Sequence, residues 1–104
     1  MLITVCPDYE ELGKFYKKWT GKDYDVSYIL WNSYFMVARD ENWEIVAAGE
    51  IIVIPDPFWN RSWGLIDNVF ALPEYQDIIP ELVEKLKSMS EGLSCQLVKV
   101  VNGN

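Results

Sequence analysis

Short apolar runs separated by polar turns dominate the hydrophobic pattern of this chain. Runs rich in β-branched and aromatic residues, bounded by turn residues, are typical of β-strands. The pattern predicts strands over residues 2–6, 34–38, 43–54, 63–72 and 93–101. Gly49 lies inside the third run and indicates a bulge or a close backbone approach, while Pro55 and Pro57 are expected to end that strand.

Apolar residues at helical spacing mark two further segments. The first begins after Pro7, carries Asp8 in its first turn and ends at Gly21, whereas the second runs from 77 to about 88. Their predicted buried faces consist of Tyr9, Leu12, Phe15 or Tyr16 and Trp19, and of Ile79, Leu82, Val83, Leu86 and Met89. Residues 22–32 form either a short additional helix or an irregular loop.

In chain order, these elements predict a mixed α/β sheet with helices on its faces. The strands over 34–38 and 43–54 are joined by a short polar turn and are expected to form a hairpin. Strand, helix and strand over 63–101 predict a parallel pair with a right-handed crossover. The length of 104 residues suits a single domain over 1–104.

Charge narrows the classes of function. The chain has 16 acidic and 9 basic residues, a net charge of −7, which argues against binding nucleic acid or an anionic membrane. The same charge permits a basic protein partner. No signal peptide and no apolar run of about 18 residues is visible, so we expect a cytoplasmic protein.

The reactive residue types exclude several mechanisms. The chain has no histidine, which rules out Cys–His and Ser–His–Asp catalysis. Cys6 and Cys95 are expected to be free buried thiols rather than a disulfide. No cluster of cysteines or carboxylates has the spacing of metal ligands, so we predict no metal site.

The strand, turn and helix over 63–86 carry the most specific signal. A helix that directly follows a strand points backbone N–H groups beyond the strand end, which suits an anion. Residues 65–75 read LIDNVFALPEY, and residues 45–51 read IVAAGEI. Both stretches, and the order of elements along the whole chain, resemble the GNAT family of N-acetyltransferases, whose acetyl-CoA-binding helix follows the central strand.

The resemblance implies an acetyl-CoA site at the end of the strand over 63–72. It places the cofactor against Val69, Phe70, Ala71, Gln76, Ile78 and Ile79. Gln76 matches the first position of the family's Arg/Gln-x-x-Gly-x-Gly/Ala turn, but the glycine positions fall on Ile79 and Glu81. Those side chains are expected to crowd a pyrophosphate, Pro80 has no N–H to donate, and acidic side chains are expected to cap the helix instead. The family's last helix and hairpin have no counterpart, so the fold class is a shortened GNAT-like sheet.

Three residues are candidates for catalysis. Glu50 and Asp67 could each act as a general base, because each lies in an apolar strand and burial raises the pKa of a carboxyl group. Alternatively, each faces solvent or caps a loop. Tyr75 is either a proton donor near the strand end or a packing residue at the rim of the core.

A second candidate site, for protein binding, comprises Phe58, Trp59 and Arg61. Tryptophan and arginine are favoured at protein interfaces, and two large aromatic residues in a loop require something to cover them. The alternative is that the loop folds over the sheet as a lid on the core.

Together these features predict a catalytically degenerate GNAT-like domain, without a cofactor, that acts by binding a protein partner or its own copy. Such a pared-down domain would suit a viral or mobile-element protein. The alternative is an acetyl-CoA-dependent N-acetyltransferase acting on an amine, and a third option is an acidic inhibitor that imitates nucleic acid. The residues alone leave open whether the chain is an enzyme.

Overall fold

The computed structural model describes residues 1–6, 8–23, 32–58 and 60–101. Its elements in chain order are β1 (Leu2–Val5), α1 (Tyr9–Thr20), β2 (Ser33–Arg39), β3 (Ile45–Asp56), β4 (Arg61–Ala71), a 3₁₀ helix (Pro73–Ile78), α2 (Ile79–Gly92) and β5 (Cys95–Val100). This order confirms the predicted mixed α/β class. Most of the segment left open between a helix and a loop, residues 24–31, lies outside the described residues.

The five strands form one sheet in the order β1-β2-β3-β4-β5. The first four strands pair antiparallel, and β4 pairs with β5 in parallel, which confirms the predicted hairpin and the predicted crossover. The parallel pairing runs from Ser62 opposite Cys95 to Ile66 opposite Val100. The second half of β4 therefore extends past the end of its pairing with β5.

Local chemistry at both ends defines α1. The carboxylate of Asp8 accepts hydrogen bonds from the backbone N–H groups of Glu10 and Glu11, which otherwise have no partner in the first helical turn. Gly21 takes a left-handed conformation with φ of 74° and donates its N–H to the carbonyl of Lys17. Both predicted ends of this helix are confirmed.

The two helices lie on opposite faces of the sheet. A Cβ atom added at Gly49 would lie 2.7 Å from Leu86 Cδ1, so this residue faces α2 and the predicted close approach is confirmed. Because neighbouring strand residues point to opposite faces, Glu50 faces the other side. On that side Phe35, which is paired with Glu50, packs edge-on against Tyr9 of α1.

The structure corrects the predicted end of the third strand. This strand continues through Pro55, which lies opposite Ser62 of β4. Pairing between β2 and β3 ends at Ile52, so a proline beyond that point removes no hydrogen bond of the β2–β3 ladder.

The turn before α2 and the end of α2 also differ from expectation. The α-helix begins at Ile79 rather than at residue 77, because the 3₁₀ helix occupies residues 73–78. At the other end Gly92 is the last helical residue, and Ser94 takes the left-handed conformation with φ of 64°. None of the described helices is long and apolar enough to cross a membrane.

Candidate functional site at the β4 bulge

The strand β4 contains a β-bulge near its centre. In the ladder with β3, Asp67 lies opposite Glu50 and Phe70 lies opposite Ala48, so two residues of β4 face the single residue between Ala48 and Glu50. The first of the two, Asn68, has a left-handed backbone with φ of 53°. Asparagine is one of the few residues besides glycine that adopt this conformation readily.

Three hydrogen bonds hold Asn68 in the bulge. Its backbone N–H donates to Asp67 Oδ1 at 2.8 Å, and its carbonyl accepts the hydroxyl of Tyr16 from α1 at 2.6 Å. Its side-chain Nδ2 donates to Glu50 Oε1 at 2.8 Å. The bulge thus joins its own strand, the neighbouring strand and α1.

Glu50 is a buried carboxylate with a 7% exposed surface. Burial is the main cause that raises its pKa above the ordinary value, and the nearby charge of Asp67 acts in the same direction. Hydrogen bonds from the side chains of Asn68 and Ser33 oppose that shift. The alternative that Glu50 faces solvent is therefore wrong, because its strand is covered from the α1 side.

A cavity of about 510 Å³ lies next to the bulge. Its walls are the end of α1, including Tyr16 and Thr20, together with residues 22–23 and 68–70. We call this cavity the bulge pocket. Two of the predicted cofactor residues, Val69 and Phe70, border it, while Ala71 is buried in the core. Asn68 lines the pocket, and its side-chain amide also donates a hydrogen bond to Glu50. The side chain of Asn68 therefore connects the Glu50 carboxylate to the pocket.

The structure brings together two of the three predicted catalytic residues. Glu50 and Asp67 are direct cross-strand partners, and Asp67 is half-buried. Tyr75 instead packs against the core from the 3₁₀ helix and is not among the described residues that line the bulge pocket. Sequence reasoning missed Asn68 and Tyr16, although an Asp-Asn pair inside an apolar strand is a signal for a bulge.

The helix start, residues 73–81, is the other part of the predicted cofactor site. Gln76 donates its side-chain amide to the carbonyl of Ala71 at 2.6 Å, and the N–H of Ile79 donates to the carbonyl of Gln76. The half-buried Ile78 and the buried Ile79 pack with the core, so the side chain of Ile79 does not stand over the helix end. Neither the 3₁₀ helix nor α2 has a side-chain cap at its start, so the expected acidic caps are wrong, and the carbonyl of Gln76 pairs with the N–H of Ile79 instead.

These residues give a divided fit to acetyl-CoA. Among the described residues, the pairing of β4 with β5 ends at Ile66, and an extended arm would lie along residues 67–71 of β4. The helix start does not fit a pyrophosphate, because the N–H of Ile79 is engaged, Pro80 has none, and no lysine or arginine occurs in residues 73–84.

The hairpin tip between β3 and β4 carries the second candidate site. Phe58 is 92% exposed and does not cover the core, contrary to the lid alternative. Arg61 lies over the ring of Trp63, 4.9 Å from its centroid, and its Nε is 3.5 Å from Asp56 Oδ2. Trp59 lies outside the described residues.

Cys6 and Cys95 are free and buried, as predicted. Among the residues that the structure describes, no group of three or more His, Cys, Asp or Glu side chains is arranged to hold a metal ion.

Solved structures of acetyltransferases share this architecture. An acetyltransferase from Trypanosoma brucei aligns with 97% of this chain and 82% of its own, with a TM-score of 0.75 and 16% identity. The chain has a GNAT-like fold. A ribosomal-protein-alanine N-acetyltransferase from Brucella melitensis aligns with 96% of this GNAT-like chain and 79% of its own, with a TM-score of 0.76 and 16% identity. An aminoglycoside acetyltransferase from an uncultured soil sample aligns with 97% of this chain and 76% of its own, with a TM-score of 0.77 and 16% identity. No family model and no curated protein matches it.

Proposed function

We propose that this GNAT-like chain is an N-acetyltransferase in which Glu50 accepts, through one bridging water, a proton from the amine that is acetylated. One observation carries the proposal: the buried carboxylate of Glu50 is hydrogen-bonded to Asn68, and Asn68 lines the bulge pocket. An acetyl thioester such as acetyl-CoA would supply an acyl group activated for attack by an amine. The chain's own part is to bind the reactants, to exclude water and to take up the proton.

The environment of Glu50 suits this role. An amine is protonated at neutral pH and must lose a proton before it can attack a carbonyl group. A carboxylate with a raised pKa is a stronger base than an exposed glutamate, and burial raises the pKa of Glu50. Asp67 opposite Glu50 adds negative charge that favours a cationic substrate. Asp23 at the pocket wall is already paired with Lys17 at 2.7 Å, and Lys22 lines the same wall.

The donor would be held mainly by the strand. Val69, Phe70 and Ala71 lie where β4 extends past its pairing with β5, and a pantetheine arm could form backbone hydrogen bonds there. Because the helix start does not fit a pyrophosphate, the nucleotide part of acetyl-CoA would contribute little affinity.

The test compares two donors, acetyl-CoA and S-acetyl-pantetheine, with a panel of small amines and basic proteins. The proposal predicts thiol release with both donors, at kcat/KM values within about tenfold, a difference of about 1.4 kcal/mol. Release must depend on the amine and must be lost in Glu50→Gln. Absence of thiol release in every combination would contradict the proposal.

A second candidate is a degenerate domain that binds no cofactor and acts on a protein partner or a second copy. The engaged backbone at the helix start and the exposure of Phe58 support it. This candidate predicts no heat of binding with either donor in calorimetry. It also predicts a concentration-dependent mass in light scattering, or capture of a partner, that Phe58→Ser abolishes and Phe58→Leu retains. Micromolar binding of either donor would exclude it.

A further inference from the structure

Asn68 is exceptional among the residues with left-handed backbone. The described non-glycine residues with positive φ are Trp43, Asn60, Asn68 and Ser94. Trp43, Asn60 and Ser94 lie in connections between elements, whereas Asn68 lies inside a strand. A left-handed residue interrupts a ladder and is maintained only when surrounding contacts favour it. The three hydrogen bonds of Asn68 supply those contacts.

The bulge changes the direction of the Asn68 side chain. In a regular ladder, residues 67 and 68 would point to opposite faces, so Asn68 would share the α2 face with Gly49. Instead its amide reaches Glu50, which lies on the α1 face. Inserting a residue re-aims a side chain in this way. The bulge therefore brings a hydrogen-bond donor to a buried carboxylate that would otherwise lack this contact.

We propose that Asn68 is a positioning residue that fixes the orientation of the Glu50 carboxylate and favours its ionised form. The amide Nδ2 can donate but cannot take up the proton, so it stabilises the carboxylate over the acid. Tyr16 contributes indirectly by holding the carbonyl of Asn68.

Two other groups act on Glu50 among the residues that the structure describes. Ser33 on β2 forms a side-chain hydrogen bond with it, and Asp67 on β4 is the charged group whose field acts on it. The helix α2 lies on the opposite face of the sheet. Of the described groups that lower the pKa of Glu50, removal of the Asn68 amide therefore leaves the Ser33 hydrogen bond, while burial and Asp67 continue to raise it.

The experiment is a carboxyl NMR titration of Glu50 in protein labelled with ¹³C at glutamate carboxyl groups, with Glu50→Gln to assign the signal. Asn68→Gly removes the amide while glycine retains the left-handed backbone without steric cost. Asn60→Gly is the matched control, because Asn60 also has a left-handed backbone, with φ of 50°, but lies in the hairpin turn. We expect the midpoint to rise by about one pH unit in Asn68→Gly and to stay unchanged in Asn60→Gly.

A second variant keeps the test decisive if the glycine variant folds poorly. Asn68→Asp retains size and tolerance of the left-handed backbone but replaces the donor with another carboxylate, so the midpoint should rise further than in Asn68→Gly. An unchanged midpoint in the folded variants would overturn the positioning role, even if their activity falls.

The inference rests on the proposed function only for a kinetic readout. In an active enzyme, the acidic limb of the pH dependence of kcat/KM should move upward with the NMR midpoint in Asn68→Gly. If the wild-type protein releases no thiol from any donor, the proposed function fails, while the titration still decides whether Asn68 positions Glu50.

Discussion

The bulge and the helix start satisfy their polar groups in different ways, although fewer than ten residues separate them. At the bulge, Asn68 forms bonds to Tyr16 of α1 and to Glu50 of β3, both distant in sequence. At the helix start, the N–H of Ile79 bonds the carbonyl of Gln76, only three residues earlier. At the bulge these bonds join side chains and backbone of three different elements, whereas at the helix start the partners are close neighbours in sequence.

This difference explains why a helix that directly follows a strand does not by itself mark an anion-binding site in this chain. The N-terminal end of a helix attracts anions only while its N–H groups are unpaired. Here the carbonyl of Gln76 in the preceding 3₁₀ turn pairs with the N–H of Ile79, and Pro80 has no N–H. The bulge instead places a buried carboxylate beside a cavity.

The largest expected effect comes from removing the charge at the bulge. Glu50→Gln should lower kcat/KM by about 10²–10⁴-fold, because a positioned base typically contributes that factor. Glu74→Gln, an exposed carboxylate at the helix start, is the matched control and should leave kcat/KM within about twofold. Equal losses of kcat/KM in both variants, or no loss in Glu50→Gln, would show that Glu50 is not the base.

The next effect concerns the packing that supports the bulge. Gly49→Ala places a Cβ atom 2.7 Å from Leu86 Cδ1 and 3.3 Å from Val69 Cγ2, in a core with little space to relax. We expect a loss of about 1–3 kcal/mol in the free energy of unfolding, measured by urea denaturation.

Gly92→Ala is the control for this substitution. A Cβ atom added there would have no heavy atom of the described residues within 4 Å, apart from its chain neighbours and the nearby backbone of its own helix, and Gly92 is helical. Stability should stay constant or increase by up to about 1 kcal/mol. A Gly49→Ala protein as stable as the wild type would show that α2 moves away from the bulge at little cost.

A pair of similar hydrogen bonds compares the two regions directly. Tyr16 donates to the carbonyl of Asn68 and Gln76 donates to the carbonyl of Ala71, each at 2.6 Å. Tyr16→Phe and Gln76→Leu should each lower the free energy of unfolding by about 0.5–1.5 kcal/mol. Only Tyr16→Phe should also change the NMR titration of Glu50. A change in both variants would mean that the helix start is coupled to the carboxylate.

The fold was predictable because hydrophobic periodicity reports which segments form strands and helices. The candidate site was less predictable than the fold. Glu50 lies in a nearly continuous apolar run over 45–54, where periodicity does not reveal which face is buried. Glu50 lies on the face of the sheet on which α1 packs, and that placement is set by contacts between distant parts of the chain.

Local composition misled at two other places. Pro55 was expected to end its strand, but the ladder with β2 had already ended at Ile52. The Phe58 loop was compatible with a lid over the core, yet its ring lies in solvent. The direction of a loop is set by tertiary contacts, which residue composition does not contain.

The smallest effect is the pH dependence of stability, which tests the burial of Glu50 without requiring activity. Burial raises the pKa of Glu50 in the folded protein above its ordinary value of 4.5, so the folded state binds this proton more tightly than the unfolded state does. The contribution of Glu50 to the free energy of unfolding is fully present below pH 4.5, and it is lost as the pH rises through the raised pKa. Glu50→Gln lacks this contribution but shares every other titrating group.

The difference in free energy of unfolding, wild type minus Glu50→Gln, should therefore fall as the pH rises above 4.5, with a slope no steeper than about 1.4 kcal/mol per pH unit. Urea denaturation at half-unit pH intervals measures it, and Glu74→Gln, which is exposed, should give a nearly flat difference. A difference that rises with pH would mean that the hydrogen bonds of Asn68 and Ser33 outweigh burial. The bulge would then stabilise the carboxylate more strongly than its surroundings disfavour it.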